Sequence, residues 1–281
     1  MGSSSSTTST GATSTVATGK DVLKKKLVTA SKTGVLNLAD QKLKATSSIW
    51  PLLNSEALIP KVKTLDLSGN TLKALPVEVY SLVNLKSLFA TRCSLQYTND
   101  MSACVKITTL KLDHNDLEMD KIAPLPPTLH MLNLSSNHLT GIPAVLGGTL
   151  MLTKLDVSGN RMESVYGIEC LVNLIELVAD DNLLVELPHS MCMMVKLRRV
   201  SLQRNRIGRN AMTAPEQQSI PAAILVNTSI DHLELCGNPG LRKEDVLKFE
   251  GIDELLKRRQ EVQDKNLAGG GMMDASLFGL D

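Results

Sequence analysis

The sequence predicts an α/β solenoid: a horseshoe of stacked short units that share one parallel β-sheet on the concave face, with a helical cap at each end. Three observations point there. Leucines recur in a detailed pattern with a period of 22 or 23 residues. An asparagine recurs at one fixed place in that pattern. The chain of 281 residues is 43% hydrophobic but only 2% aromatic, which suits a stack of small apolar layers better than one globular core.

The pattern is clearest in KVKTLDLSGNTLKALP, residues 61–76. Val62, Leu65, Leu67, Asn70, Leu72 and Leu75 fall on L-x-x-L-x-L-x-x-N-x-L-x-x-L, the signature of one leucine-rich repeat. A single copy has nothing to bury its leucines against, so recurrence decides the matter. The second leucine of each strand recurs as Leu36, Leu65, Leu88, Leu110, Leu132, Leu155, Leu177, Val200 and Leu233. Successive gaps are 29, 23, 22, 22, 23, 22, 23 and 33 residues, which gives about nine units, irregular at the two ends. The extra length lies in residues 44–60 and 208–228. The asparagine column reads Asn70, Cys93, Asn115, Asn137, Asn160, Asn182, Asn205 and Asn238, with Gln41 as a degenerate first member. Where the chain leaves a strand, backbone groups would be buried unpaired, and an inward amide can donate to them and accept from them. Pro76, Pro143 and Pro188 follow the last apolar position of their units, stopping the strand side and starting short convex turns.

The flanks follow different rules. Residues 1–20 are a Ser/Thr/Gly/Ala leader with little to bury, predicted disordered. Residues 21–34 predict a capping helix, started by Asp21, with Leu23, Leu27 and Ala30 on one face and Gly34 past its end. The solenoid spans 35–241, a C-terminal capping helix broken near Gly251 spans 242–266, and 267–281 reads as a flexible tail. In the C-terminal cap, Lys257, Arg258 and Arg259 read as a solvated basic face. The tail segment SLFGL reads as featureless or as a small docking peptide.

Composition excludes several functions. The formal net charge of +1 creates no overall attraction for nucleic acid. The five cysteines are scattered without a C-x-x-C pair, which predicts a reduced, cytoplasmic chain. No nucleotide-binding, hydrolase or kinase motif occurs, and the five histidines lack zinc-site spacing, so no enzyme, metal, cofactor or small-molecule substrate is expected. His114 and His232 are read as lying on strand faces.

Function is therefore sought in the side chains that the repeat leaves open. In each strand the residue between two inward leucines faces the concave surface. That column is Asn37, Asp66, Phe89, Lys111, Asn133, Asp156, Val178, Ser201 and Glu234. Phe89, near Arg92 and Lys111 and with Met131 two strands on, has the composition of a binding hot spot. An acidic group of Asp156, Glu176, Asp180 and Asp181 follows, then a basic group of Arg199 and Arg204. At the other end, Met1 to Ser6 fit M-G-x-x-x-[ST], with Gly2 as a myristate acceptor. A vector-derived Met-Gly or an unmodified leader fits as well. Lys24, Lys25 and Lys26 supply the basic cluster that a single acyl chain needs for stable membrane attachment, or else a solvated helix face.

The flanks narrow the resemblance. Met1-Gly2, ASKTGVLNLADQKL at residues 30–43, and GNPGLRKEDVLKFEGIDELLKR at residues 237–258 are similar to leucine-rich repeat-containing protein fifty-seven and its relatives. That resemblance implies a lipid anchor on the N-terminal glycine and carries no defined biochemical activity. The leading expectation is a non-enzymatic adaptor that binds a protein on its concave face, at the cytoplasmic side of a membrane when acylated. A soluble regulatory subunit of a protein phosphatase-1-type enzyme, and a structural subunit of a cytoskeletal or other large complex, are the alternatives.

Overall fold

Nine strands, each three residues long, form a single sheet in strict sequence order. They are β1 (Val35–Asn37), β2 (Thr64–Asp66), β3 (Ser87–Phe89), β4 (Thr109–Lys111), β5 (Met131–Asn133), β6 (Lys154–Asp156), β7 (Glu176–Val178), β8 (Arg199–Ser201) and β9 (His232–Glu234). Every pairing is parallel, and Leu36, Leu65, Leu88, Leu110, Leu132, Leu155, Leu177, Val200 and Leu233 lie opposite one another across it. The computed structural model describes residues 19–208, 219–239, 241–268 and 278–280.

Each central strand residue is at most 1% exposed, and the neighbouring columns Leu67, Ala90, Leu112, Leu134, Val157, Ala179 and Leu202 are fully buried. The core is thus a stack of thin layers, one per unit, and each layer is completed by the next unit. On the convex side, Pro76, Pro143 and Pro188 immediately precede the 3₁₀ helices Val77–Ser81, Ala144–Gly148 and His189–Met193. Proline's fixed φ, here −60°, −60° and −68°, aims the chain into each turn.

Asparagines bind the units together at the bend. Asn115 Oδ1 accepts from the Cys93 and Leu95 amides, while Nδ2 donates to the carbonyls of Ala90 and Leu112. The same pattern recurs at Asn70, Asn137, Asn160, Asn182 and Asn238. Cys93 departs from it. Its thiol donates to Leu67 O, and the Leu72 amide, lacking a side-chain acceptor, uses the Cys93 carbonyl at 2.9 Å. Burial pushes the Cys93 thiol up to about 11, so it stays protonated.

The ends depart most from the sequence reading. Helix α1 (Gly19–Thr33) starts two residues before Asp21, which therefore lies inside the first turn rather than at its start. Gly34, at φ +75°, ends it with its amide on Ala30 O, and a Cβ there would meet Lys61 O at 2.9 Å. Residues 44–60, read as irregular extra length, fold into a packed turn. Trp50 is 2% exposed and donates its indole N–H to Lys44 O at 2.8 Å, and Leu53 and Leu58 are buried beside it. In the second long gap, α2 (Ala222–Asn227) buries Ile224 and Leu225.

Helices α3 (Lys243–Val246) and α4 (Ile252–Ala268) follow, separated by a turn with Gly251 at φ +84°. The basic face read there is not all solvated. Arg258 donates to Ile230 O and Leu225 O, and Arg259 is buried, because α4 lies across the last unit. Only Lys257 of the three is exposed.

The flexible-tail reading fails at Phe278–Leu280. Phe278 is fully buried, and its carbonyl accepts the Leu235 amide at 2.9 Å, the position that the next unit's strand occupies everywhere else. The segment therefore supplies a tenth rung over the open edge of β9. Replacing Phe278 by alanine is expected to free this rung. The loss is at most about 3 kcal/mol, because the segment can lift off without unfolding the solenoid. Hydrogen exchange at the Leu235 amide should accelerate by about tenfold or more, since 1.4 kcal/mol is a factor of ten. The leader predicted at 1–20, apart from Gly19 and Lys20, and residues 269–277 of the tail lie outside the described residues. Among the described residues no helix is long and apolar enough to cross a membrane.

Candidate protein-interaction surface

The concave sheet presents two outward columns, because each three-residue strand buries only its centre. The trailing column is Asn37, Asp66, Phe89, Lys111, Asn133, Asp156, Val178, Ser201 and Glu234, aligned through the strand register. The leading column includes Thr64, Ser87, Thr109, Met131, Lys154, Glu176, Arg199 and His232.

Phe89 and Lys111 meet as neighbours on β3 and β4. Lys111 Nζ sits 5.6 Å from the centre of the Phe89 ring, within cation–π range, and Phe89 remains half-buried among polar neighbours. Nothing in the fold requires a phenylalanine here, since its place in the unit points away from the leucine core. Met131 is two strands along but in the leading column, so it lies across the sheet from this pair rather than beside it. Asp66 and Asp156 use one carboxylate oxygen each to cap the turns at Ser68 and Ser158.

Arg92 is not on the strand. It belongs to a column that turns the chain off the sheet: Asp40, Gly69, Arg92, His114, Ser136, Gly159, Asp181, Arg204 and Gly237 all have φ between +51° and +75°. Non-glycine residues rarely adopt this conformation, and here the solenoid imposes it at the same point in every unit. His114 lies in this column, beside Asp113 at 3.1 Å, and so not on a strand face; His232 is on β9 and contacts Glu234 at 3.1 Å. Stacking explains the glycines. A Cβ at Gly69 would lie 2.0 Å from Asp40 Oδ1, and one at Gly237 would lie 2.8 Å from Arg204 Cγ.

The acidic and basic groups do not form two separate patches. Glu176 lies between Lys154 at 3.0 Å and Arg199 at 3.2 Å. Partial burial works against its charge, yet those two cations hold its carboxyl below the usual range. Arg204 forks onto Asp181 at 2.6 and 2.7 Å, and its hydrogen bonds hold that carboxyl low as well. Asp180 accepts from Ser201 Oγ and the Gln203 amide. These charges satisfy one another across repeats, because residues 22 or 23 apart sit side by side. Glu176 and Arg199, with His232 and Glu234, line a shallow depression of about 500 Å³ that holds charges of both signs. Among the described residues, no cluster of His, Cys, Asp or Glu could hold a metal ion.

Comparison with known proteins agrees with this geometry. A leucine-rich repeat family model matches residues 128–149, one unit that contains β5. A chain of the solved octameric complex of Latrophilin 3 (Lec, Olf), Unc5D (Ig, Ig2, TSP1) and FLRT2 (LRR) superposes with a TM-score of 0.60. It is 21% identical, over 77% of this chain and 72% of its own. The fold is a leucine-rich repeat solenoid. A Shigella effector leucine-rich repeat domain also superposes on it, with a TM-score of 0.51 and 19% identity, over 72% of this chain and 87% of that one. No curated protein matches the sequence. Leucine-rich repeat domains typically act as interaction modules, and this solenoid presents an open sheet.

The sequence reading missed one surface of this solenoid. Counting along the repeats also generates a column of exposed apolar residues on the flank that leads into the strands, beginning at Val83 and Val105. Attention to strand alternation alone passes over it, because it lies in the connecting segments.

Proposed function

We propose that the protein is a non-enzymatic adaptor that binds a protein partner on its concave sheet, with Phe89 and Lys111 at the centre of the contact. The Lys111–Phe89 pair carries this reading: an aromatic ring and a cation held 5.6 Å apart on a surface where the repeat requires neither. Asp66, Asp156 and Met131 would contribute at the edges. Glu176, Asp180, Arg199 and Arg204 would act as a pre-ordered polar rim, since the Glu176–Arg199 pair and the bonds of Asp180 to Ser201 and of Arg204 to Asp181 already fix their positions. Arg92 would reach the partner from the trailing rim.

The N-terminal reading accompanies it. Gly2 would carry a myristoyl chain, and Lys24, Lys25 and Lys26 of α1 would add electrostatic attachment at the cytoplasmic face of a membrane. Similarity of the flanking segments to the protein fifty-seven family supports the lipid, though Gly2 itself lies outside the described residues. Intact-mass measurement after co-expression with an N-myristoyltransferase tests it, and an unmodified Gly2 would end that part of the proposal.

For the sheet, the Phe89→Ala, Lys111→Glu double variant is expected to weaken partner capture by about 30-fold or more, the effect of losing a hot spot of about 2 kcal/mol. Both side chains are at the surface, so the fold should survive, with an unchanged circular dichroism spectrum. Capture equal to the parent's would place the contact elsewhere. Co-purifying phosphatase activity would favour the phosphatase-regulator reading, which uses the same concave surface.

A further inference from the structure

The segments leading into the strands carry a second periodic surface. Val83, Val105, Pro127, Leu150, Val172 and Val195 each lie two residues before the buried residue that starts a layer, namely Leu85, Ile107, Leu129, Leu152, Leu174 and Leu197. The four valines and Leu150 are 49 to 60% exposed, and Met151 widens the row at its middle. Neighbouring strands are about 4.8 Å apart, so these side chains form one continuous ridge. The ridge is rigid. After three of the six apolar positions the next residue ties back to the preceding unit: Asn84 donates to Pro60 O, Thr128 to Ile107 O and Asn173 to Leu150 O, each at 2.8 Å, and in the last unit Ser229 donates to Val195 O at 2.7 Å.

Cations border the ridge. Lys61, Lys63 and Lys86 are exposed and form no ion pair among the described residues. Lys106 and Lys196 donate to the amide oxygens of Asn84 and Asn173, so they keep their charge uncompensated. Two carboxylates on this flank are already engaged, Asp231 by Arg198 and Glu176 by Lys154 and Arg199. The opposite, trailing flank is mixed, with Asp113, Asp116, Glu118, Glu163 and Asp181 alongside Lys42, Lys73, Arg92, Arg161, Arg204 and Arg206. A formal net charge of +1 therefore conceals a leading flank on which cations predominate.

We infer that the leading flank is a docking surface for an anionic lipid bilayer, its apolar ridge entering the interface while the lysines engage the headgroups. A protein interface is the weaker match. Protein contacts are enriched in aromatics and depleted in lysine, whereas this ridge and the positions bordering it hold lysines and no Phe, Tyr or Trp. Interchange of Val, Pro and Leu at one position suits a fluid surface that reads apolar area and charge rather than shape. Docking by a flank would leave the concave sheet open, so this inference stands independently of the adaptor reading.

The test uses the full chain made in a host without N-myristoyltransferase, floated with vesicles of phosphatidylcholine alone or mixed with phosphatidylserine. The chain should float with the anionic vesicles and not with the neutral ones. Lys63→Glu, Lys86→Glu, Lys106→Glu should reduce binding by about 100-fold or more. Val105→Ser, Val172→Ser, Val195→Ser should reduce it by about tenfold or more at unchanged circular dichroism. The Phe89→Ala, Lys111→Glu variant should bind vesicles as the parent does. Failure of the parent to bind anionic vesicles overturns the inference. So does parental binding by either triple variant, or loss of binding only in Lys24→Glu, Lys25→Glu, Lys26→Glu. Capture of a protein through the ridge valines without vesicle binding would overturn it equally.

Discussion

Replacing Asn160 by alanine is expected to lower the unfolding free energy by about 2–4 kcal/mol, a large part of the 5–15 kcal/mol typical of a folded domain. Asn160 Oδ1 accepts from the Leu139 amide at 3.0 Å, and Nδ2 donates to Leu134 O at 3.1 Å and Val157 O at 2.8 Å. The two carbonyls would keep partners, since Asn137 also donates to Leu134 O and Asn182 to Val157 O. The Leu139 amide would be left buried without an acceptor, and that desolvated donor dominates the cost. Cys93 shows how the fold tolerates a missing amide: there the orphaned Leu72 N–H finds the Cys93 backbone carbonyl. No equivalent bond is formed by the Leu139 amide among the described residues. A urea titration followed by circular dichroism measures the difference, and a midpoint equal to the parent's would refute the assignment.

Trp50→Ala is expected to be at least as damaging, at about 3–5 kcal/mol for an excised buried indole. The indole N–H bond to Lys44 O is lost along with the packing on Ile49 and Leu53. Because each unit of a solenoid rests mainly on its neighbours, the damage should be polar along the chain. Hydrogen exchange is expected to accelerate in residues 35–75 before it changes near β6 to β8. Uniform acceleration along the sheet would contradict this. Trp50 is the single tryptophan, so parental fluorescence reports on the first units alone. It should shift toward the red before the circular dichroism signal is lost.

The regular part of this molecule was legible because repetition converts sequence distance into spatial adjacency. Steps of 22 or 23 place Leu65 through Val200 at the centres of seven of the nine paired strands, and they place Phe89 beside Lys111. The same count contained the charge pairs Glu176–Arg199 and Asp181–Arg204, each 23 residues apart. Along the chain these charges look like separate acidic and basic groups, and only across units do they pair.

The caps were not legible in that way. Trp50, Arg258 and Phe278 occur once, outside any period, and their burial depends on which open layer each end of the stack presents. By itself, then, the sequence determined the register, the inward amide column and the outward columns, because each follows from a pattern that must repeat for any unit to be buried. The tertiary structure alone decided how the ends are closed and which charges are cancelled. Those outcomes depend on contacts between segments that share no pattern, and on whether a side chain at the rim finds a partner in the next unit or only solvent.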